Sequence, residues 1–222
     1  MIGDAGRADT GAFLTRLLRL DPAAVVRLRP PRLYPGRPGQ AELWAMLPFG
    51  VLVVRLVTTP LTSDATVAAA ELLRSLERGG AWPARRDESW RWPVPSTRGE
   101  VVEVIPATDV ERVARAASVT LREASTQGLG GRRVGERVLR DALLDHVPIV
   151  VTTATGQRLD VPQRLVQAVV RMGFLRPAAA TLTGADTEGD NSVTVRSAGR
   201  WISLECSYGS AWYLATSPLR LS

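Results

Sequence analysis

Residues 42–57 read Glu-Leu-Trp-Ala-Met-Leu-Pro-Phe-Gly-Val-Leu-Val-Val-Arg-Leu-Val, the longest apolar and β-branched run in the chain. Pro48-Phe49-Gly50 is a turn signal between two strand-like runs, which predicts a pair of antiparallel strands. Alternation divides the second run between two faces of the sheet, with Leu52, Val54 and Leu56 on one and Val51, Val53 and Arg55 on the other. Burying each aliphatic side chain contributes about 1.5–3 kcal/mol, so we expect this pair to anchor the core.

The segments on either side extend this strand pair into a larger unit. Upstream, residues 24–29 read as a third strand, and a loop rich in Pro and Gly follows at residues 30–39. Helical spacing of apolar residues predicts a helix at residues 12–20 and another that Ser63 caps and Gly79 ends. We therefore predict a three-stranded antiparallel meander with helices packed on it.

A Gly-rich stretch, residues 127–131, is the best candidate for a domain boundary. Shortly before it, Thr108 and Glu111 have the spacing of a capping box at the start of a helix. We expect an N-terminal α+β domain at residues 10–126 and a smaller C-terminal α+β unit at residues 132–215, which can pack as one body with the first. The second unit reads as helix, hairpin, helix and hairpin.

The composition is that of a soluble globular protein, with 222 residues, 45% hydrophobic and 23% charged. No apolar run approaches the roughly 18–20 residues that span a bilayer, and the N-terminus lacks a basic-then-apolar signal pattern. We therefore expect a cytoplasmic protein with no membrane partner. The single cysteine, Cys206, excludes a disulfide within the chain and any metal site that needs several cysteines.

All 28 basic residues are Arg, and the formal net charge is +6. The absence of Lys excludes Schiff-base chemistry and a phosphate-binding P-loop lysine. A basic protein attracts polyanions, nucleic acid among them. Part of this excess reflects Arg in place of Lys, a pattern that indicates GC-rich coding and an actinobacterial source. We therefore give the net charge less weight as evidence for nucleic-acid binding.

Residues 81–95 combine three of the six Trp with three Arg. One interpretation is an aromatic contact surface for nucleic acid or a ligand ring, with Arg on phosphate. A second interpretation is that the Trp side chains anchor a long loop on the domain, with Arg extending beside them to solvent, and the composition favours it. The candidate residues are Trp82, Trp90 and Trp92 for aromatic contact, and Arg85 and Arg86 for nucleic acid.

The C-terminal unit carries the second candidate surface. Arg164, Gln167 and Arg171 share one face of the helix after Pro162, and Arg196 and Arg200 lie at the following hairpin. A helix followed by a basic hairpin is typical of winged-helix DNA-binding proteins. A hairpin rather than a helix precedes the predicted helix, however, so a helix packed on a small sheet with a solvated Arg face is the favoured interpretation.

The sequence contains no recognisable catalytic constellation. The only histidine, His146, falls at the predicted end of a helix, where a capping role is expected. The acidic residues Asp186, Glu188 and Asp190 lack the full spacing of a calcium loop. We therefore predict no catalytic residues, no metal and no cofactor.

The leading functional hypothesis is a non-enzymatic protein that binds nucleic acid, DNA rather than RNA, through its Arg-rich surfaces. The alternative is a protein-interaction or adaptor module that uses the Trp/Pro-rich loop as an apolar anchor. An enzyme with a mechanism based on carboxylates or backbone amides is the third class. The sequence makes no prediction of the oligomeric state.

Overall fold

The computed structural model describes residues 4–34, 37, 39–59, 61, 63–79, 81–127, 136–176 and 191–215. The helices are α1 (Asp4–Leu20), α2 (Ala69–Arg78), α3 (Ala107–Gln127), α4 (Glu136–Asp145) and α5 (Gln163–Arg171). The strands are β1 (Val25–Arg29), β2 (Gln40–Met46), β3 (Leu52–Thr58), β4 (Ala65–Ala68), β5 (Glu100–Pro106), β6 (Ile149–Thr152), β7 (Arg158–Val161), β8 (Ser192–Ala198), β9 (Trp201–Cys206) and β10 (Gly209–Leu214).

Eight of these strands form one antiparallel sheet in the order β4-β1-β2-β3-β10-β9-β8-β5, and β6 pairs with β7 in a separate hairpin. The predicted meander is present as β1, β2 and β3, and the α+β class is confirmed. The first and last parts of the chain meet at the centre of the sheet, where β3 pairs with β10 from Leu52 opposite Trp212 to Val54 opposite Ser210.

The helices lie on one face of the large sheet, which we call the helical face. Val51 and Val53, which alternation places on the same side, are buried there together with Phe13 of α1 and Val169 of α5. The ring of Phe13 stacks on Phe174, just after α5, with a centroid distance of 6.3 Å. Side chains from α1 and from the segment after α5 thus share one core.

The opposite face of the sheet, which we call the loop face, is also covered. Leu52 and Val54 are buried there, as the alternation predicts, beside the indole rings of Trp44 and Trp212. Those two rings lie 6.5 Å apart between centroids. Partly buried side chains from the connection between α2 and β5 complete this second cluster, so both faces are protected from water at the centre of the sheet.

Two predicted helix starts are wrong. Ser63 does not cap α2, because Ala65–Ala68 first pairs with β1 as an edge strand, and the position before the helix is Ala68, which makes no side-chain cap. Thr108 lies inside α3 rather than before it, because β5 runs directly into the helix at Ala107. In both places a strand continues up to the first residue of the helix, so the predicted capping residue does not stand immediately before the helix.

Two further predictions fall on residues outside the described ranges: most of the boundary at residues 127–131, and the acidic residues Asp186, Glu188 and Asp190. The division into residues 10–126 and 132–215 therefore stays a prediction. Within the described part of the chain, no helix is both long enough and apolar enough to cross a membrane.

Candidate nucleic-acid interface

The two predicted Arg residues of the Trp/Arg segment are held by carboxylates beside the edge strand β4. The Nε of Arg85 donates to Asp87 over 2.8 Å, and an Nη of Arg86 donates to Glu71 of α2 over 2.7 Å. Both guanidinium groups remain about half exposed. Because their charges are already compensated, they attract an outside phosphate less than free Arg would.

The three Trp side chains of this segment do not form one surface. Trp90 and Trp92 meet edge to face at 5.2 Å between ring centroids, and the indole N–H of Trp90 donates to the carbonyl of Trp92 over 2.7 Å. Both pack on the loop face, and the guanidinium of Arg27 lies 5.9 Å from the Trp90 ring. Trp82, by contrast, is 44% exposed. Trp90 and Trp92 thus have the positions that the loop-anchoring interpretation describes.

Asp87 attaches this loop to the sheet, and its pKa offers a test. The backbone N–H of Thr66 donates to its carboxylate over 2.8 Å, and this bond, reinforced by Arg85, lowers the pKa of Asp87 below its usual value near 3.8. The stabilising contribution is therefore present above that value and is lost as the pH falls through the lowered pKa.

We predict that an NMR titration of the Asp87 carboxyl carbon gives a midpoint below 3.8. Arg85→Ala should raise that midpoint only part of the way towards the usual value, since the Thr66 amide still donates to the carboxylate. A midpoint at or above the usual value in the unsubstituted protein would show that the loop is not attached in this way.

The two predicted Arg residues of the hairpin also have hydrogen-bond partners within the protein. The Nε of Arg196 donates to Glu205 over 2.6 Å, and Arg98 donates to the same carboxylate. Arg200 donates to the carbonyl of Ala215 over 3.1 Å. The hairpin itself, β8 with β9, is an integral part of the eight-stranded sheet. It does not project as a wing, so the winged-helix interpretation is wrong.

The predicted Arg residues therefore do not converge. Arg85 and Arg86 lie beside β4 at one edge of the sheet, whereas Arg196 is on β8, next to the other edge. Arg164 connects α5 to two other parts of the protein, because it pairs with Asp145 and donates to the carbonyl of Phe49 over 2.8 Å. Its side chain is only 19% exposed.

Gln167 and Arg171 remain, and both line a cleft of about 560 Å³ on the helical face. We call it the α5 cleft and define it by Arg19, Phe49, Leu121, Gln163, Gln167 and Arg171. Arg19 comes from the last turn of α1, Phe49 from the β2–β3 turn and Leu121 from α3, so elements distant in sequence build the cleft.

The cleft combines uncompensated positive charge with apolar walls. Within the described residues, neither Arg19 nor Arg171 makes a hydrogen bond or an ion pair. The exposed Asp141 is the carboxylate of the lining, so two cations face one anion. Phe49 and Leu121 are partly buried and offer apolar surface. This arrangement can bind an anion that carries an apolar or aromatic body.

A second groove, of about 570 Å³, adjoins Arg98 and Glu205. Four of its five charged side chains satisfy one another, since Asp9 pairs with Arg55 at 2.8 Å and Glu205 accepts from Arg98, whereas Arg37 lines the groove outside these pairs. Cys206 is partly buried beside it, and burial raises the pKa of its thiol. The thiol therefore stays protonated at neutral pH and is a poor nucleophile.

Comparison with known proteins places the chain in a family. Residues 94–218 match the family described as "Domain of unknown function (DUF8185)", and residues 1–92 match the one described as "Domain of unknown function (DUF8010)". The first match covers more than half of the chain, which therefore belongs to the DUF8185 family. None of the curated proteins matches the sequence.

Several solved structures share the fold. The beta subunit from DNA polymerase of Streptococcus pyogenes superposes with a TM-score of 0.53 over 95% of this chain at 9% identity. A putative DNA polymerase III beta subunit from Eubacterium rectale gives 0.53 over 97% at 9% identity, and the DNA polymerase III subunit beta from Pseudomonas aeruginosa gives 0.50 over 95% at 12%. This chain spans 63–64% of their lengths.

Proposed function

We propose that this member of the DUF8185 family is a non-enzymatic binding protein that engages DNA through Arg19 and Arg171 on the helical face. One observation carries the proposal. Most of the predicted Arg residues are held by carboxylates or carbonyls of the protein itself, whereas these two line a common cleft without a partner among the described residues. Uncompensated Arg is the side chain best suited to phosphate oxygens.

Two further facts support DNA as the polyanion. The net charge of +6 favours association with a polyanion over its whole surface. The structures that share the fold are subunits of DNA polymerase, an enzyme that acts on DNA. Gln167, one turn before Arg171 on the same helix, adds an uncharged donor and acceptor beside the two cations.

The adaptor alternative has less support. It requires an exposed apolar anchor in the Trp/Pro-rich loop, but Trp90 and Trp92 pack against the sheet. Trp82, with 44% of its surface exposed, is the Trp of that loop with the most area to offer a protein partner. One such side chain is a weak anchor, because binding hot spots cluster in well-packed groups.

The test is fluorescence-anisotropy titration of labelled duplex DNA. Each phosphate contact adds roughly 0.9 to the negative slope of log affinity against log salt, because bound cations release counterions. Two contacts predict that affinity falls about tenfold between about 50 mM and about 200 mM salt. Absence of binding at the lower salt concentration, or binding unaffected by salt, would contradict the proposal.

A further inference from the structure

One wall of the α5 cleft contains a polar side chain with nothing to bind. Gln163, at the start of α5, is 2% exposed, and neither its Nε2 nor its Oε1 has a hydrogen-bond partner among the described residues. Its backbone N–H donates to the carbonyl of His146 over 2.7 Å, which fixes the position of the residue. Buried amides are almost always paired, so a group that lines a cleft unpaired calls for an explanation.

The amide indicates what would complete the site. It presents one donor group and one acceptor, so a complementary ligand carries an acceptor and a donor side by side. The edge of a nucleobase has this pattern, and Gln is a usual partner for the N7 and the amino group of adenine. In duplex DNA that edge is open in the major groove, but the faces of the base are stacked on its neighbours, so a base can place its faces in a cleft only when it is unpaired.

The rest of the lining suits a nucleotide. Phe49 and Leu121 offer apolar surface for the faces of a base, and Arg19 and Arg171 are available for its phosphate. Asp141 can accept a hydrogen bond from an amino group of the base. The volume of about 560 Å³ falls in the range of about 300–1,000 Å³ typical of small-molecule sites.

We propose that the α5 cleft is a nucleotide site that receives one unpaired base, with Gln163 on the base edge and Arg19 and Arg171 on the phosphate. The inference rests on the proposed DNA-binding function and deepens it. Two sources share this chemistry: a base in single-stranded DNA and a free nucleotide. In either case the amide of Gln163 selects for a base, whereas the two Arg residues bind any phosphate.

The test compares single-stranded and duplex oligonucleotides of equal length by anisotropy, and adenosine monophosphate by calorimetry. The proteins are the unsubstituted chain, Gln163→Leu, and the control Arg158→Ala, whose exposed guanidinium pairs with Asp160 outside the cleft. Leu has nearly the shape of Gln and removes both unpaired polar atoms, so Gln163→Leu is expected to melt at the same temperature or higher.

We expect the unsubstituted protein to bind the single strand about tenfold more tightly than the duplex, a factor within the range for one bidentate contact to a base edge. Gln163→Leu should remove that preference and leave duplex affinity unchanged, and Arg158→Ala should retain it. Equal affinity for both DNA forms without nucleotide binding, or a preference that survives Gln163→Leu, would overturn the nucleotide site and leave DNA binding intact.

The nucleotide measurement separates the two proposals. If adenosine monophosphate binds, and binds more weakly to Gln163→Leu, while neither DNA form binds, the cleft is a site for free nucleotides and the DNA-binding function is overturned. If neither DNA nor the nucleotide binds, both proposals are overturned.

Discussion

Replacing Arg19 and Arg171 together by Ala is expected to weaken duplex DNA binding about tenfold to a hundredfold at low salt. The two side chains project from α1 and α5 into one cleft, so a single phosphate segment can contact both. Loss of both contacts should also reduce the slope of log affinity against log salt by about 2. Anisotropy titrations at four or more salt concentrations measure both quantities.

The matched control removes the same charge from elsewhere on the surface. Arg112 and Arg158 are exposed, and each pairs with a nearby Asp. The double variant Arg112→Ala/Arg158→Ala should retain its affinity within about threefold, because the distant charges contribute only through the screened overall field. Equal losses in the two double variants would mean that DNA responds to net charge alone and that the cleft is not the contact surface.

Trp212→Ala is expected to lower the free energy of unfolding by about 3–5 kcal/mol, the usual loss for a large buried aromatic residue. Trp212 is 1% exposed, lies opposite Leu52 where β10 meets β3, and packs beside Trp44. Its indole N–H also donates to the Ser210 hydroxyl over 2.9 Å. The substitution therefore leaves a cavity at the junction between the two halves of the sheet. Urea denaturation followed by circular dichroism measures the loss.

Trp82→Ala is the control for that prediction. Its side chain is 44% exposed, so the change should shift the free energy of unfolding by no more than about 0.5 kcal/mol. A loss in Trp82→Ala as large as that in Trp212→Ala would mean that the exposed segment, rather than the loop face, carries the stability.

The sequence predicts the centre of the sheet well because the information there is local. Period-two alternation after Gly50 separates Leu52 and Val54 from Val51 and Val53, and the structure buries the two pairs on opposite faces. The start of α2 is predicted wrongly for the opposite reason. Whether Ala65–Ala68 becomes a helix or a strand depends on pairing with β1, a contact that local propensity does not encode.

The candidate site was less predictable, because it depends on which distant side chains meet. Arg164 and Arg196 occupy positions that read as solvated from sequence, yet Asp145 and Glu205 bind them. Arg19 carries no sequence signal beyond its place in the last turn of α1, and it gains significance only because that turn meets α5. Gln163 reads as an ordinary first-turn residue until its burial is known.

The most direct test of the account is to map where DNA touches the protein. Duplex and single-stranded oligonucleotides with a photoreactive group on one phosphate would be cross-linked to the protein, and the modified peptides identified by mass spectrometry. The account predicts adducts on the last turn of α1 and on α5, and their loss in Arg19→Ala/Arg171→Ala. Adducts confined to residues 81–95 or to the β8–β9 hairpin would contradict it.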